Sequence, residues 1–169
     1  MSDNVKGTFY GKYRGLVTNN QDPFFKMRIK AQVPEVLGLE ETAWALPCSP
    51  YAGINEGMFF LPPVGSNVWI EFEKGNPALP IWVGGFWGEF DIPPTLKSPT
   101  TPKNKTIKTQ FCEMSLDDNV PPGEITLKLA MGTKITIKGM QIELNNNIVN
   151  IKLTPASVSI NGQNLVVLP

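Results

Sequence analysis

Two carboxylates, Glu71 and Glu73, are the side chains in this chain whose type and spacing come nearest to acid–base chemistry. On an extended strand, positions i and i+2 share a face with Cα atoms about 6.5–7 Å apart, which overlaps the separation of the paired acids that cleave glycosidic bonds. The surrounding segment alternates, with Val68, Ile70 and Phe72 on one side and Trp69, Glu71 and Glu73 on the other, and the solvent face of any amphipathic strand shows the same pattern. No cleft-forming cluster of aromatic and polar residues accompanies the pair, so it reads as a solvated face. The thiols Cys48 and Cys112 stand far apart, without CxxC spacing and without a basic neighbour to favour a thiolate. Histidine is absent, which removes Ser-His-Asp and Cys-His catalysis and every metal site that needs imidazole. The sequence therefore predicts no catalytic residue, no metal and no cofactor.

What the residues do specify is β architecture. Residues 8–18 suit a first strand, closed by turn formers from Asn19 to Pro23. In residues 26–33, Met27, Ile29, Ala31 and Val33 share one face, and Lys26, Arg28 and Lys30 form the opposite, solvated one. Residues 35–42 read as a loop, 43–48 as a third strand, and 51–57 as a glycine-bounded loop. Residues 67–73 and 79–87 form a hairpin turning at 74–77. Several short strands with Gly/Pro turns and no helical period imply a small barrel or sandwich. An exposed Trp69, with Trp87, suits contact with a partner protein, since rigid aromatics anchor interfaces.

Residues 91–104 change character to a proline-rich, extended connector. Beyond it, residues 105–169 alternate from end to end. The apolar bursts are Ile125, Leu127, Leu129 and Met131; Ile135 and Ile137; Met140, Ile142 and Leu144; Val149, Ile151 and Leu153; Val158 and Ile160. Gly132, Gly139, Asn145 to Asn147, Pro155 and Asn161-Gly162 punctuate them. A stretch this short, without a covering helix, makes a poor core alone. The economical solution is a repeat structure in which copies of the chain wrap around one axis and share an interior. Leu127, Leu129, Ile135, Ile137, Ile142, Leu144, Ile151 and Ile160 would fill that interior, with Lys128, Lys134, Lys138, Glu143 and Lys152 outside. The parity of the apolar positions shifts from burst to burst, which corners between faces of a prism would require.

Formal net charge is zero, but residues 1–95 carry seven basic and ten acidic side chains, and residues 96–169 eight and five. That balance disfavours the runner-up function, a binding module holding single-stranded nucleic acid or glycan on a Trp69 and Trp87 face, because such a groove needs basic lining. The N-terminal residues lack a hydrophobic signal region, and no stretch approaches a membrane span, so synthesis in the cytoplasm is expected.

The ordered run of segments resembles a known family. Gly11 to Val17, Arg28 to Pro34, Trp44 to Cys48, Pro63 to Glu73 and Pro80 to Phe86, followed by Lys105 to Thr109, Ser115 to Asp118 and Glu124 to Lys128, look like the central-spike proteins of contractile baseplates. These are the phage baseplate assembly protein V type, related to the valine-glycine repeat spike of type VI secretion. The resemblance implies an all-β chain: an oligonucleotide/oligosaccharide-binding (OB) barrel over 1–90, a linker over 91–104 and a trimeric triangular β-helix, or β-prism, over 105–169. It implies a homotrimer whose barrel sits on a baseplate hub protein and whose needle pierces the target envelope when the sheath contracts, touching the membrane only transiently. The particle would be a phage tail or a contractile injection machine. There is no room for the lysozyme domain of some relatives, and without histidine no tip iron site carries over. The apolar end Leu165, Val166, Val167, Leu168 and Pro169 resembles needles capped by a separate PAAR-repeat tip protein.

Overall fold

A computed structural model of the chain describes residues 7–93, 101–119, 121–162 and 164–167. The chain divides into two compact units, Met1–Ile92 and Pro93–Pro169. The first contains β1 (Tyr13–Asn19), β2 (Lys30–Gln32), the helical turn α1 (Pro34–Leu37), β3 (Leu46–Pro47), the small hairpin β4 (Ala52–Gly53) and β5 (Glu56–Gly57), and the hairpin β6 (Asn67–Phe72) and β7 (Pro80–Gly85). Five of these strands form one sheet in the order β2-β1-β6-β7-β3. Ile29 and Ala45, just ahead of β2 and β3, exchange both backbone hydrogen bonds at 3.2 and 2.8 Å. The last strand thereby returns to the first, and the sheet curls into a closed, OB-like barrel without a free edge.

The barrel interior is the alternation made solid. Val68 and Ile70 are fully buried and Phe72 nearly so, joined by Val17, Ile29, Ala31, Val33, Val36 and Ala45. Gly15 on β1 is buried among them, and a Cβ there would stand 3.0 Å from Ile70 Cγ1 and 3.4 Å from Ala31 Cβ. Only glycine leaves Ile70 its place.

Three local expectations change. Residues 35–42 are not all loop, because Pro34 at the first helical position starts the turn α1 and buries Val36. The strand expected over 26–33 is confined to Lys30–Gln32 with the bridge at Ile29. Met27, with φ +59°, belongs instead to a loop wound around Asp22. Arg28 is not solvated: its Nε and Nη2 donate to the Asp22 carboxylate at 3.0 and 2.6 Å, and its guanidinium lies over the rings of Phe24 and Trp44. Asp22 also accepts from the backbone N–H groups of Phe24, Lys26 and Arg28, which holds Phe25 and Met27 at their positive φ values.

The Arg28 guanidinium, with those three N–H groups, holds the Asp22 carboxyl well below the usual carboxylate range. A group whose folded pKa is depressed contributes stability above its unfolded value, about 3.9, and loses that contribution as pH falls through the folded one. Asp22→Asn should therefore lower the thermal midpoint of the barrel at pH 7. The gap from wild type should narrow steadily as pH drops below about 4. A gap that stays constant down to pH 2 would refute the role of the charge.

The second unit opens with a helical turn at Thr101–Lys103 and continues as β8 (Asn104–Lys108), β9 (Cys112–Asp117), β10 (Glu124–Leu129), β11 (Lys134–Lys138), β12 (Gln141–Asn145), β13 (Asn150–Thr154), β14 (Ser157–Ile160) and β15 (Leu165–Val167). All eight form one antiparallel meander in chain order. The connectors match their geometry. Gly139 takes φ +58° in the two-residue turn between Lys138 and Gln141, and Asn147 takes φ +71° while Asn145 and Asn146 cap the four-residue turn that follows.

Candidate assembly and docking surfaces

Register turns the second unit's apolar bursts into two continuous ladders. One passes from Leu116 through Ile125, Ile137, Ile142, Leu153 and Val158 to Val167; the other from Ile107 through Met114, Leu127, Ile135, Leu144, Ile151 and Ile160 to Leu165. Both lie on one face of the sheet, because cross-strand partners share a side. Leu129 faces Cys112 in a shorter third row on the same face. All eight residues expected to form a shared core are thus brought onto one surface. The second ladder crosses all eight strands, about 34 Å, and the first the seven from β9 to β15, about 29 Å.

The parity shift has a simpler origin than prism corners. In an antiparallel pair, an even number of residues between the closing partners moves the inward positions from odd to even, and an odd number preserves them. Five residues separate Lys128 from Lys134, so Ile125, Leu127, Ile135 and Ile137 are all odd. Two separate Lys138 from Gln141, which makes Ile142 and Leu144 even; four separate Asn145 from Asn150, and Ile151 and Leu153 are odd again.

This face has no cover within the unit. Ile125, Leu127, Leu129, Ile135, Ile137, Ile142, Leu144, Leu153 and Val158 are 37–48 % exposed. Among the described residues, none of the second unit is buried. The opposite face carries Thr106, Ser115, Thr126, Thr136, Glu143, Lys152 and Ser159 in one row, with Lys108 paired to Glu113 and Lys138 to Glu124 beside it. An extended apolar face rimmed by polar residues is an interface awaiting its partner.

On the first unit the expected contacts fare differently. Trp87 is 61 % exposed, and its turn is tethered by Asp91, which accepts from Gly88 N at 2.9 Å and Asn67 Nδ2 at 3.0 Å. Trp69 is half-buried rather than exposed. Its ring centre lies 4.6 Å from that of Phe86, and Arg14 covers both. Trp69 consequently offers no open stacking face for a base or sugar. Glu71 and Glu73 do not share a strand face, since Glu71 pairs with Lys12 and Glu73 starts the turn after β6. Leu165, Val166 and Val167 are exposed on the edge strand β15, and Leu168 and Pro169 lie outside the described residues. No group of three or more metal-ligating side chains occurs among the described residues, and no described helix is long and apolar enough to cross a membrane.

Comparison with known families gives the two units their place. The profile of the type VI secretion system/phage-baseplate injector OB domain matches residues 13–87, and that of the phage baseplate V C-terminal trimerisation domain matches residues 104–166. The chain belongs to the baseplate V spike family. No curated protein matches it. In this baseplate V spike the closed five-stranded barrel is the injector OB domain, and the eight-stranded meander is the trimerisation domain. Both families are structural parts of baseplates and injection machines, and the role of the chain is that of a baseplate spike. The uncovered ladders are what a trimerisation domain requires. The sequence reading missed the Arg14 stack, although the alternation that set Trp69 opposite the core could have found it once β1 was paired with β6.

Proposed function

We propose that three copies turn their ladders onto one axis and close a triangular β-prism that serves as the needle of a contractile baseplate. From β11 to β15 each strand contributes two ladder side chains, so each of those layers of the prism interior holds six. The single observation that carries the reading is the pair of continuous, uncovered ladders. With the strands lying across the axis, the backbone hydrogen bonds run along it. Axial force is then shared by three ladders in parallel, and many bonds must fail together. The outer face of short hydroxyl side chains and paired charges suits passage through an envelope but not residence in lipid, where unpaired polar groups are costly. Trp69 and Trp87 lie on the proposed hub-docking side of the barrel. Leu165, Val166, Val167, Leu168 and Pro169 form the proposed seat of a PAAR-type tip protein, next to the open edge of β15. The spike acts by force and carries out no reaction, and assembly places it in the baseplate of a tail or injection particle after synthesis in the cytoplasm.

Cys112 supplies the test. Its thiol is exposed in the single chain, as is that of Cys48, but it lies on the ladder face opposite Leu129. In a Cys48→Ser background, a maleimide should leave Cys112 unlabelled in the native assembly and label it fully after denaturation. Light scattering of the same sample should give the mass of three chains. Rapid native labelling of a three-chain species would put the ladders on the outside and overturn the packing.

A further inference from the structure

Arg14 stands on β1 directly across from Trp69 on β6. Its guanidinium carbon is 5.5 Å from the Trp69 ring centre and 5.1 Å from that of Phe86, and the two rings, inclined at 39°, form a cradle for a flat cation. Stacking of this kind uses the faces of the guanidinium and leaves its edge of N–H donors free. The neighbouring cations are already neutralised, Lys12 by Glu71, Arg28 by Asp22 and Lys30 by Glu41. The Arg14 side chain has no hydrogen bond or ion pair among the described residues. Phe86, beneath it, also lines a groove with Phe60, Val64, Trp82 and Trp87. Phe60, Val64 and Trp87 are each more than half exposed there.

We propose that Arg14 is the anchor of the hub-docking surface, and that the partner is a protein face that sets an aspartate or glutamate against the guanidinium edge and an apolar side chain in the adjoining groove. The inference rests on the hub-docking reading of the barrel. Three features select a carboxylate. The fork of Arg matches it bidentately. The rings already fix the side chain, so little rotamer freedom is lost on binding. The rest of the first unit carries more acidic than basic residues, which disfavours an acidic partner over most of the remaining surface and biases the orientation of docking. Arginine and tryptophan are also among the residues in which interface energy concentrates.

The test uses the intact trimer and the hub protein of the same baseplate. Arg14→Ala should weaken hub binding about 30-fold or more. Arg14→Lys, which keeps the charge but not the fork, should recover little of it. Both variants should keep three-chain mass and a folded barrel, with at most a small drop in its melting temperature, since Arg14 is exposed and a stacked cation there contributes only about 0.5–1 kcal/mol. In assembling particles, Arg14→Glu should block incorporation, and suppressors should replace a hub Asp or Glu by Lys or Arg. Wild-type affinity in Arg14→Ala, or full rescue by Lys, overturns the carboxylate anchor while leaving the spike reading intact. Absence of hub binding by the wild-type trimer overturns the docking reading itself, and this proposal with it.

Discussion

Ile137→Asp should abolish the trimer while sparing the barrel. Ile137 sits in mid-ladder between Ile125 on β10 and Ile142 on β12 and is 40 % exposed in the single chain. An isolated sheet would tolerate a carboxylate there at little cost. Closed onto an axis, three copies would instead bury three unpaired charges at one level, each costing several kcal/mol and each opposing the others. Light scattering should therefore report single chains for Ile137→Asp and three-chain mass for Thr136→Asp, which changes the adjacent residue on the opposite face. All four tryptophans, Trp44, Trp69, Trp82 and Trp87, belong to the first unit, so their fluorescence reports whether the barrel survives. A stable trimer of Ile137→Asp would show that the ladders do not face inward.

Ile70→Ala should produce the complementary result, a weakened barrel within an intact assembly. The side chain is fully buried and fills the space that Gly15 leaves open on β1. Its cross-strand partners, Tyr13 on β1 and Trp82 on β7, are already packed against the core, so the loss should reach about 2–5 kcal/mol, a large part of the roughly 5–15 kcal/mol that holds a domain folded. Denaturant titration followed by tryptophan emission measures it. Adding Gly15→Ala should restore part of the loss by placing a methyl in the void, an interaction that separate sites would not show. A loss below about 1 kcal/mol, or no coupling with Gly15→Ala, would mean that the interior repacks freely.

The sequence made the second unit's strands legible because period-two alternation survives wherever one face is apolar, and Ile125 to Leu129 or Ile142 to Leu144 show it without ambiguity. Its turns were equally plain at Gly139 and at Asn145 to Asn147. In the barrel, Val68, Ile70 and Phe72 declared their inward side in the same way. What escaped was long-range. Alternation assigns Arg28 to an outward face but cannot show that Asp22, six residues earlier, folds back to meet it and draws Met27 out of the strand. Nor can it show that Arg14 crosses to Trp69, because pairing between β1 and β6 depends on barrel closure. The parity shifts are visible in the sequence, and hairpin length, a local property, is enough to produce them.

That dependence on loop parity governs how the trimerisation domain can change over evolutionary time. A single inserted or deleted codon in the turn at Gly139 and Met140 would turn the hydrophobic edge of β12 to water, and every later strand with it. Paired insertions would leave the facing unchanged, and duplication of a whole hairpin would do so while lengthening the sheet by about 4.8 Å per strand. The sheet can therefore lengthen only in discrete increments while the rest of it keeps its pattern.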